Sequence, residues 1–175
     1  MGKRKLELPV AAVTELYRAV THAEPLFRRA MSLDERKANW PLARNLYREV
    51  TRLAPKHIDA WNNLGVLCHR LGDSAEAMHA WAQALLIDDR KAETHNNIGQ
   101  LLQCEGKLQV ASVYLARAVR LDPEMGEARV NLALCLQAMG RRRAALRHWR
   151  QYLERFPRGV WVDLAHKHVG LCSAR

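Results

Sequence analysis

A 34-residue period dominates the sequence between Ile58 and Gly159. Three copies begin at Ile58, Ala92 and Gly126, and their openings read Asp-Ala-Trp-Asn-Asn-Leu-Gly, Glu-Thr-His-Asn-Asn-Ile-Gly and Glu-Ala-Arg-Val-Asn-Leu-Ala. A repeat of this length is typical of an array in which similar supersecondary units stack on their neighbours. The sequence therefore predicts a chain of stacked units, in contrast to a domain built around one central core.

Several positions of the repeat carry the same kind of residue in all or most of the copies. Small residues at positions 8 and 20 allow two helices of a hairpin to approach closely, and large apolar residues at positions 7 and 24 fill the space between neighbouring units. Glycine at position 15 accepts the left-handed backbone that ends a helix. Proline at position 32 stops the second helix. The residues at positions 8, 15 and 24 are Gly65, Gly99 and Ala133; Gly72, Gly106 and Gly140; and Trp81, Leu115 and Trp149.

This combination resembles the tetratricopeptide repeat, a helix–turn–helix unit. The resemblance rests on Leu64-Gly65, on the alanine at position 20, on the aromatic residue at position 24 and on the late proline. Asp89 in place of proline and Leu115 in place of an aromatic residue are departures. The resemblance implies an all-α fold, a right-handed superhelical array of antiparallel helix hairpins that forms an α-solenoid.

The register divides the whole chain into segments. The predicted segments are a basic flexible tail (1–8), an N-terminal helix (9–23), a degenerate tetratricopeptide-like unit (24–57), three full units (58–91, 92–125 and 126–159) and a C-terminal capping helix (160–175). A break is expected at 21–24, because Pro25 suits the first turn of a new helix.

In the family that the chain resembles, the first helices of successive units line a concave groove that binds an extended peptide or a partner helix. Position 6 is Asn63, Asn97 and Asn131, similar to the asparagine ladder of the O-linked N-acetylglucosamine transferases. An amide donates and accepts, as a peptide backbone does. The alternative is that these amides are solvated or bond to a neighbouring helix. Other predicted groove residues are Asn62, Val66, His69, Asn96, Gln100, Gln103, Val130 and Leu134.

Two charged sets admit two interpretations each. Position 2 is Asp59, Glu93 and Glu127, either an acidic rail for a basic peptide or acids that the helix dipole favours in a first turn. A basic cluster is either a patch for an anionic partner or a solvated face. Its members are Arg141, Arg142, Arg143, Arg147 and Arg150.

Composition narrows the function classes. No apolar run approaches the ~20 residues of a membrane span. The four cysteines are not paired as CxxC, which favours reduced thiols in a cytoplasmic protein. We find no phosphate loop, nucleophile elbow or metal-ligand spacing, so the sequence predicts no enzyme, cofactor or metal site.

The predicted function is a protein–protein interaction module, an adaptor, scaffold or chaperone-like assembly factor that binds a protein or peptide in its concave groove. One alternative is a nucleic-acid-binding repeat protein that uses its basic ends. The acidic balance of residues 58–125 argues against it, because nucleic-acid readers concentrate basic charge on one face. Another alternative is the non-catalytic regulatory partner of an enzyme such as a glycosyltransferase. A homodimer through the terminal units is also left open.

Overall fold

The computed structural model describes residues 10–173 and the side chains of residues 21–172. Within this range the regular elements are helical. They are α1 (Val10–Asp34), a short 3₁₀ turn (Lys37–Asn39), α2 (Trp40–Leu53), α3 (Ile58–Arg70), α4 (Ser74–Ile87), α5 (Ala92–Cys104), α6 (Leu108–Leu121), α7 (Gly126–Ala138), α8 (Arg142–Arg155) and α9 (Val162–Ser173). The predicted all-α class is confirmed, and the predicted tail at 1–8 lies outside the described residues.

The chain divides into two compact units, one ending at Ile87 and the other starting at Asp88. In unit 1, α1 packs on α2, α2 on α3, and α3 on α4. Tyr47 and Trp81 are its largest fully buried side chains. A smaller cluster of Ala23, Val50 and Ala60 ties α1 to α2 and α3.

The predicted break at 21–24 is wrong, because α1 continues through Pro25 to Asp34. A proline inside a helix removes one hydrogen bond and costs ~3 kcal/mol. Ala23, Ala30 and the partly buried Phe27 lie on both sides of the proline and share one buried stripe. Packing of this continuous stripe offsets the local cost, so tertiary contacts override the local signal at Pro25.

The helix pair of unit 1 closes around a glycine. The indole of Trp81 crosses α3 at Gly65, where an added Cβ would lie 2.6 Å from Trp81 Cδ1. Trp81 Nε1 donates to the Asn62 carbonyl at 3.2 Å, which fixes the ring in this place. Gly72 then ends α3 with φ of +86°, as predicted for position 15 of the repeat.

Unit 2 contains α5–α9, with contacts between α5 and α6, α6 and α7, α7 and α8, and α8 and α9. The last helix covers α8: Ala165 is fully buried, and His168 stacks on Trp149 with ring centroids 4.9 Å apart and planes inclined by 10°. A helix therefore caps the last hairpin of the chain.

Candidate peptide-binding faces

The predicted groove residues of unit 1 lie on α3. Asn62, Asn63, Val66 and His69 are all partly exposed. Asn63 Nδ2 donates to the Tyr47 hydroxyl at 3.3 Å, so its amide bonds to the side chain of a neighbouring helix. Burial raises the pKa of Tyr47 to about 12, which keeps this hydroxyl protonated. The Tyr47 hydroxyl thus orients the Asn63 amide.

A chain of hydrogen bonds links the corresponding residues of unit 2. Asn131 Nδ2 on α7 donates to Asn96 Oδ1 on α5 at 2.9 Å. Asn96 in turn donates to Glu127 Oε1 at 3.5 Å, and Gln100 Nε2 donates to the same oxygen at 2.8 Å. We call these four residues the amide chain. It connects the first helices of two successive repeats through side chains alone.

Two predicted groove residues are not available to a ligand. Asn96 and Val130 are each 3% exposed, so the prediction that they line an accessible groove is wrong. Both occupy position 5 of their repeats, and α5 packs directly on α7 at this level. The partly exposed residues of this face are Asn97, Gln100, Gln103, Asn131 and Leu134.

The acids at position 2 do not behave alike. Glu127 accepts hydrogen bonds within the amide chain, whereas Glu93 pairs with Lys91 at 3.4 Å. Asp59 lies in the first turn of α3 and is exposed. The helix-start interpretation fits all three placements, and Glu127 has the additional task of orienting Gln100 and Asn96.

The arginine cluster surrounds the start of α8. Its members Arg141, Arg142, Arg143, Arg147 and Arg150 are all exposed. Arg141 and Arg147 line a groove between α6 and α8 whose floor is formed by α7. The cluster therefore borders a groove between α6 and α8, the second helices of two hairpins. The amide chain lies on the first helices of these hairpins, α5 and α7.

Sequence reasoning missed a set of hydrogen bonds at position 4 of the repeat. Trp61 Nε1 donates to the Pro55 carbonyl at 2.8 Å, His95 Nε2 to the Asp89 carbonyl at 2.8 Å, and Arg129 Nη2 to the Pro123 carbonyl at 3.2 Å. In each case the acceptor lies six residues earlier, in the turn that enters the repeat. The signal in the sequence was that an N–H donor stands at position 4 of all three full repeats. It was missed because tryptophan, histidine and arginine are dissimilar side chains.

Arg129 is unusual among these donors because it is a cation that is only 8% exposed. Its second anchor is Gln151 Oε1, which accepts from Nη1 at 3.0 Å. Burial lowers the pKa of Arg129 from its ordinary value. Arg70, the last residue of α3, pairs with Asp34 at 3.0 Å and lies over the ring of Trp40.

The C-terminal helix covers one amide of the last repeat. Gln137 Oε1 accepts from Trp149 Nε1 at 3.4 Å and lies 2.9 Å from His168 Nδ1. Because a carboxamide oxygen only accepts, the His168 contact places its proton on Nδ1. Gln137 thus joins α7, α8 and α9 within the C-terminal cap.

Among the residues that the structure describes, no three His, Cys, Asp or Glu side chains lie close enough together to hold a metal ion. None of the helices within 10–173 combines the length and apolar character of a membrane span.

Models of the tetratricopeptide repeat match residues 32–93, 92–125 and 127–158. The chain belongs to the tetratricopeptide repeat family. The predicted family is therefore confirmed. No curated protein is similar enough in sequence to match this chain.

Solved structures of tetratricopeptide proteins share the fold. The protein MamA is 19% identical, with a TM-score of 0.74 over 88% of this chain and 80% of its own. YrrB, described as a TPR protein with an unusual peptide-binding site, is 22% identical, with a TM-score of 0.73 over 90% of this chain and 81% of its own. The first TPR of Spaghetti (RPAP3), bound to an HSP90 peptide, is 17% identical, with a TM-score of 0.60 over 66% of this chain and 92% of its own.

Proposed function

We propose that this tetratricopeptide repeat protein is a protein–protein interaction module that binds an extended peptide or a helix of a partner. The observation that carries the proposal is the amide chain of unit 2. It holds Gln100 and Asn131 on a partly exposed face, where the buried Asn96 accepts a hydrogen bond from Asn131 and the exposed Glu127 accepts one from Gln100. Two structural relatives support the same class of function, because YrrB has a peptide-binding site and the first TPR of Spaghetti (RPAP3) is bound to an HSP90 peptide.

The amide chain suits a peptide backbone. The bond to Asn96 uses one of the four hydrogen-bonding positions of the Asn131 amide. A bound backbone offers one N–H donor and one C=O acceptor per residue, and a fixed amide can satisfy either. Because Asn131 and Gln100 are already ordered, binding costs less side-chain entropy than it would with mobile amides. Leu134 beside them supplies apolar contact without charge.

The α3 face of unit 1 offers a second set of the same kind, in which Tyr47 fixes Asn63. Each face is proposed to contact the main chain of a ligand more than its side chains. The predicted binding is therefore broad in sequence. We expect adaptor or assembly roles in which the partner segment is recognised by its extended form.

The test uses peptides selected from a random display library on the wild-type protein, with affinities measured by fluorescence anisotropy. The double variant Gln100→Ala/Asn131→Ala removes about two hydrogen bonds worth ~1 kcal/mol each, so we expect affinity to fall roughly thirtyfold. Gln109→Ala is the matched control, because Gln109 is an exposed amide on α6 of the same unit. Circular dichroism checks that both variants keep their helices.

A backbone-methylated version of the best peptide separates main-chain recognition from side-chain recognition. Methylation of the amide nitrogens removes donors and leaves every side chain, and we expect it to abolish binding. Equal affinity for wild type and the double variant, or a selection that yields no peptide at all, would remove the amide chain as a binding site.

A further inference from the structure

The groove between α6 and α8 combines an apolar floor with a basic rim. Its volume is about 540 Å³. Leu132 and Leu136 of α7 form the floor, with Ala116 and Ala144 on the two walls. Val113, also in the lining, is 64% exposed. Apolar surface of this kind, left in water and bordered by charge, is typical of an interaction site.

The rim has one sign of charge. The groove is lined by Arg120 of α6, by Arg141 just before α8 and by Arg147 of α8. None of its described lining residues is acidic. Arg142 and Arg143 continue the charge along the opening of α8. His148 adds no charge at neutral pH, because burial, together with Arg129 and Arg147, lowers its pKa. The field at the groove is therefore set by arginines.

An ion pair bridges the corresponding seam in unit 1. There Arg48 of α2 forms two hydrogen bonds to the Glu76 carboxylate of α4, at 2.6 and 2.5 Å. Arg48 and Glu76 stand at positions 25 and 19 of their repeats, where unit 2 has Ala116 and Ala144. Asp73 occupies the position that Arg141 holds in unit 2. Two alanines thus replace the ion pair that spans the seam, and an arginine replaces an acid.

We infer that the α6–α8 groove is a docking site for an acidic amphipathic helix of another protein. A helix presents apolar side chains at spacings of three and four, which would meet Val113, Leu136 and the two alanines. Glutamates or aspartates flanking that stripe would meet Arg120, Arg141 and Arg147. The helices α6 and α8 each have 14 residues, or about 21 Å, which accommodates a ligand helix of similar length.

Charge argues against two other possible occupants of the groove. A second copy of the chain is a poor ligand, because the protein carries a formal net charge of +10. The chain's own N-terminal segment is poor for the same reason, since it opens with Lys3, Arg4 and Lys5. The groove is a surface separate from the amide chain, so this inference stands apart from the proposed function.

The test selects ligands from a display library of 14-residue helical peptides randomised on one face. We expect peptides with apolar residues at helical spacing and flanking acids, bound at least tenfold more weakly by Val113→Asp. Val110→Asp is the matched control, because Val110 is also exposed on α6 but does not line the groove. The variant Gln100→Ala/Asn131→Ala should bind these helices as wild type does.

Two further variants fix the mechanism. Ala116→Arg/Ala144→Glu installs the unit 1 ion pair and should close the groove, with a loss of binding at unchanged helicity. Arg141→Glu/Arg147→Glu should reject the acidic helix and bind its lysine-substituted counterpart instead.

Three outcomes would overturn the inference. The first is a selection without acidic enrichment or without any peptide that depends on Val113. The second is equal binding of the acidic and lysine-substituted helices by wild type. The third is groove-dependent binding of phosphatidylglycerol vesicles in the absence of peptide binding, which would make the ligand a membrane surface.

Discussion

The two units build the seam between consecutive second helices in opposite ways. In unit 1, Arg48 and Glu76 join α2 to α4 through a bidentate ion pair. In unit 2, Ala116 and Ala144 leave the seam between α6 and α8 open, and arginines border it. The framework of the repeat tolerates both, because its close packing depends on positions 8, 20 and 24 instead. The seam is therefore free to vary in function while the hairpins stay the same.

The pairing of α3 with α4 predicts the largest stability effect. Gly65→Ala would place a methyl group against Trp81 and displace its indole from the Asn62 carbonyl. Alanine gains ~1 kcal/mol of helix propensity, but overpacking and the lost bond cost more, so we expect a net loss of about 2 kcal/mol. Urea denaturation measures this loss.

The control is Gly170→Ala in α9, where an added Cβ meets nothing within 4 Å. There alanine should be neutral or stabilising by up to ~1 kcal/mol. In unit 2, Leu115 replaces tryptophan at position 24, and Gly99→Ala should cost less than Gly65→Ala because a leucine can change rotamer. Equal costs at the two glycines would show that the indole is not the cause.

The ion pair of unit 1 predicts an intermediate, pH-dependent effect. Hydrogen bonds from Arg48 lower the pKa of Glu76 from 4.5 to about 2. A carboxyl group whose folded pKa is depressed stabilises the fold above its unfolded pKa, and this contribution is lost as pH falls toward the folded value. We expect Arg48→Ala to cost about 1 kcal/mol at pH 7 and little near pH 2. Urea titrations between pH 7 and pH 2 follow the change.

The transplanted pair sharpens the same comparison. Ala116→Arg/Ala144→Glu should gain a fraction of a kcal/mol at pH 7 and lose it progressively as pH falls toward 2, in parallel with the native pair. If the variant shows the same acid sensitivity as wild type, the two seams do not have equivalent geometry.

A histidine in place of Arg129 at position 4 predicts the smallest effect. Arg129→His should change the free energy of unfolding by less than about 0.5 kcal/mol, because His95 makes the same bond at this position without a buried charge. Arg129→Ala should cost about 1–2 kcal/mol, since it leaves the Pro123 carbonyl without its donor. Urea denaturation of both variants gives the comparison, and similar costs for the two would mean that the turn does not need the bond.

The hairpins could be predicted from the sequence because their signals are local. The glycines at position 15, Gly72, Gly106 and Gly140, take the predicted positive φ, since a repeated slot reports the same geometry three times. The predicted break before Pro25 was wrong because the packing of Ala23, Phe27 and Ala30 on the neighbouring helices outweighed the local cost of a proline inside a helix. The burial of Asn96 and Val130 could not be read either, because it depends on how closely α5 packs on α7, which a hydrophobic pattern does not specify.

The position-4 bonds show how a repeat can change its composition without losing its turn. A backbone carbonyl is the same acceptor in every copy, so an indole, an imidazole and a guanidinium serve it equally when each brings one N–H to the right place. Position 4 therefore requires an N–H donor that reaches this carbonyl, and it does not require one particular residue type. A comparison by residue identity then underestimates the structural similarity of neighbouring repeats. A comparison of side-chain donors that bond to the carbonyl six residues earlier would detect it.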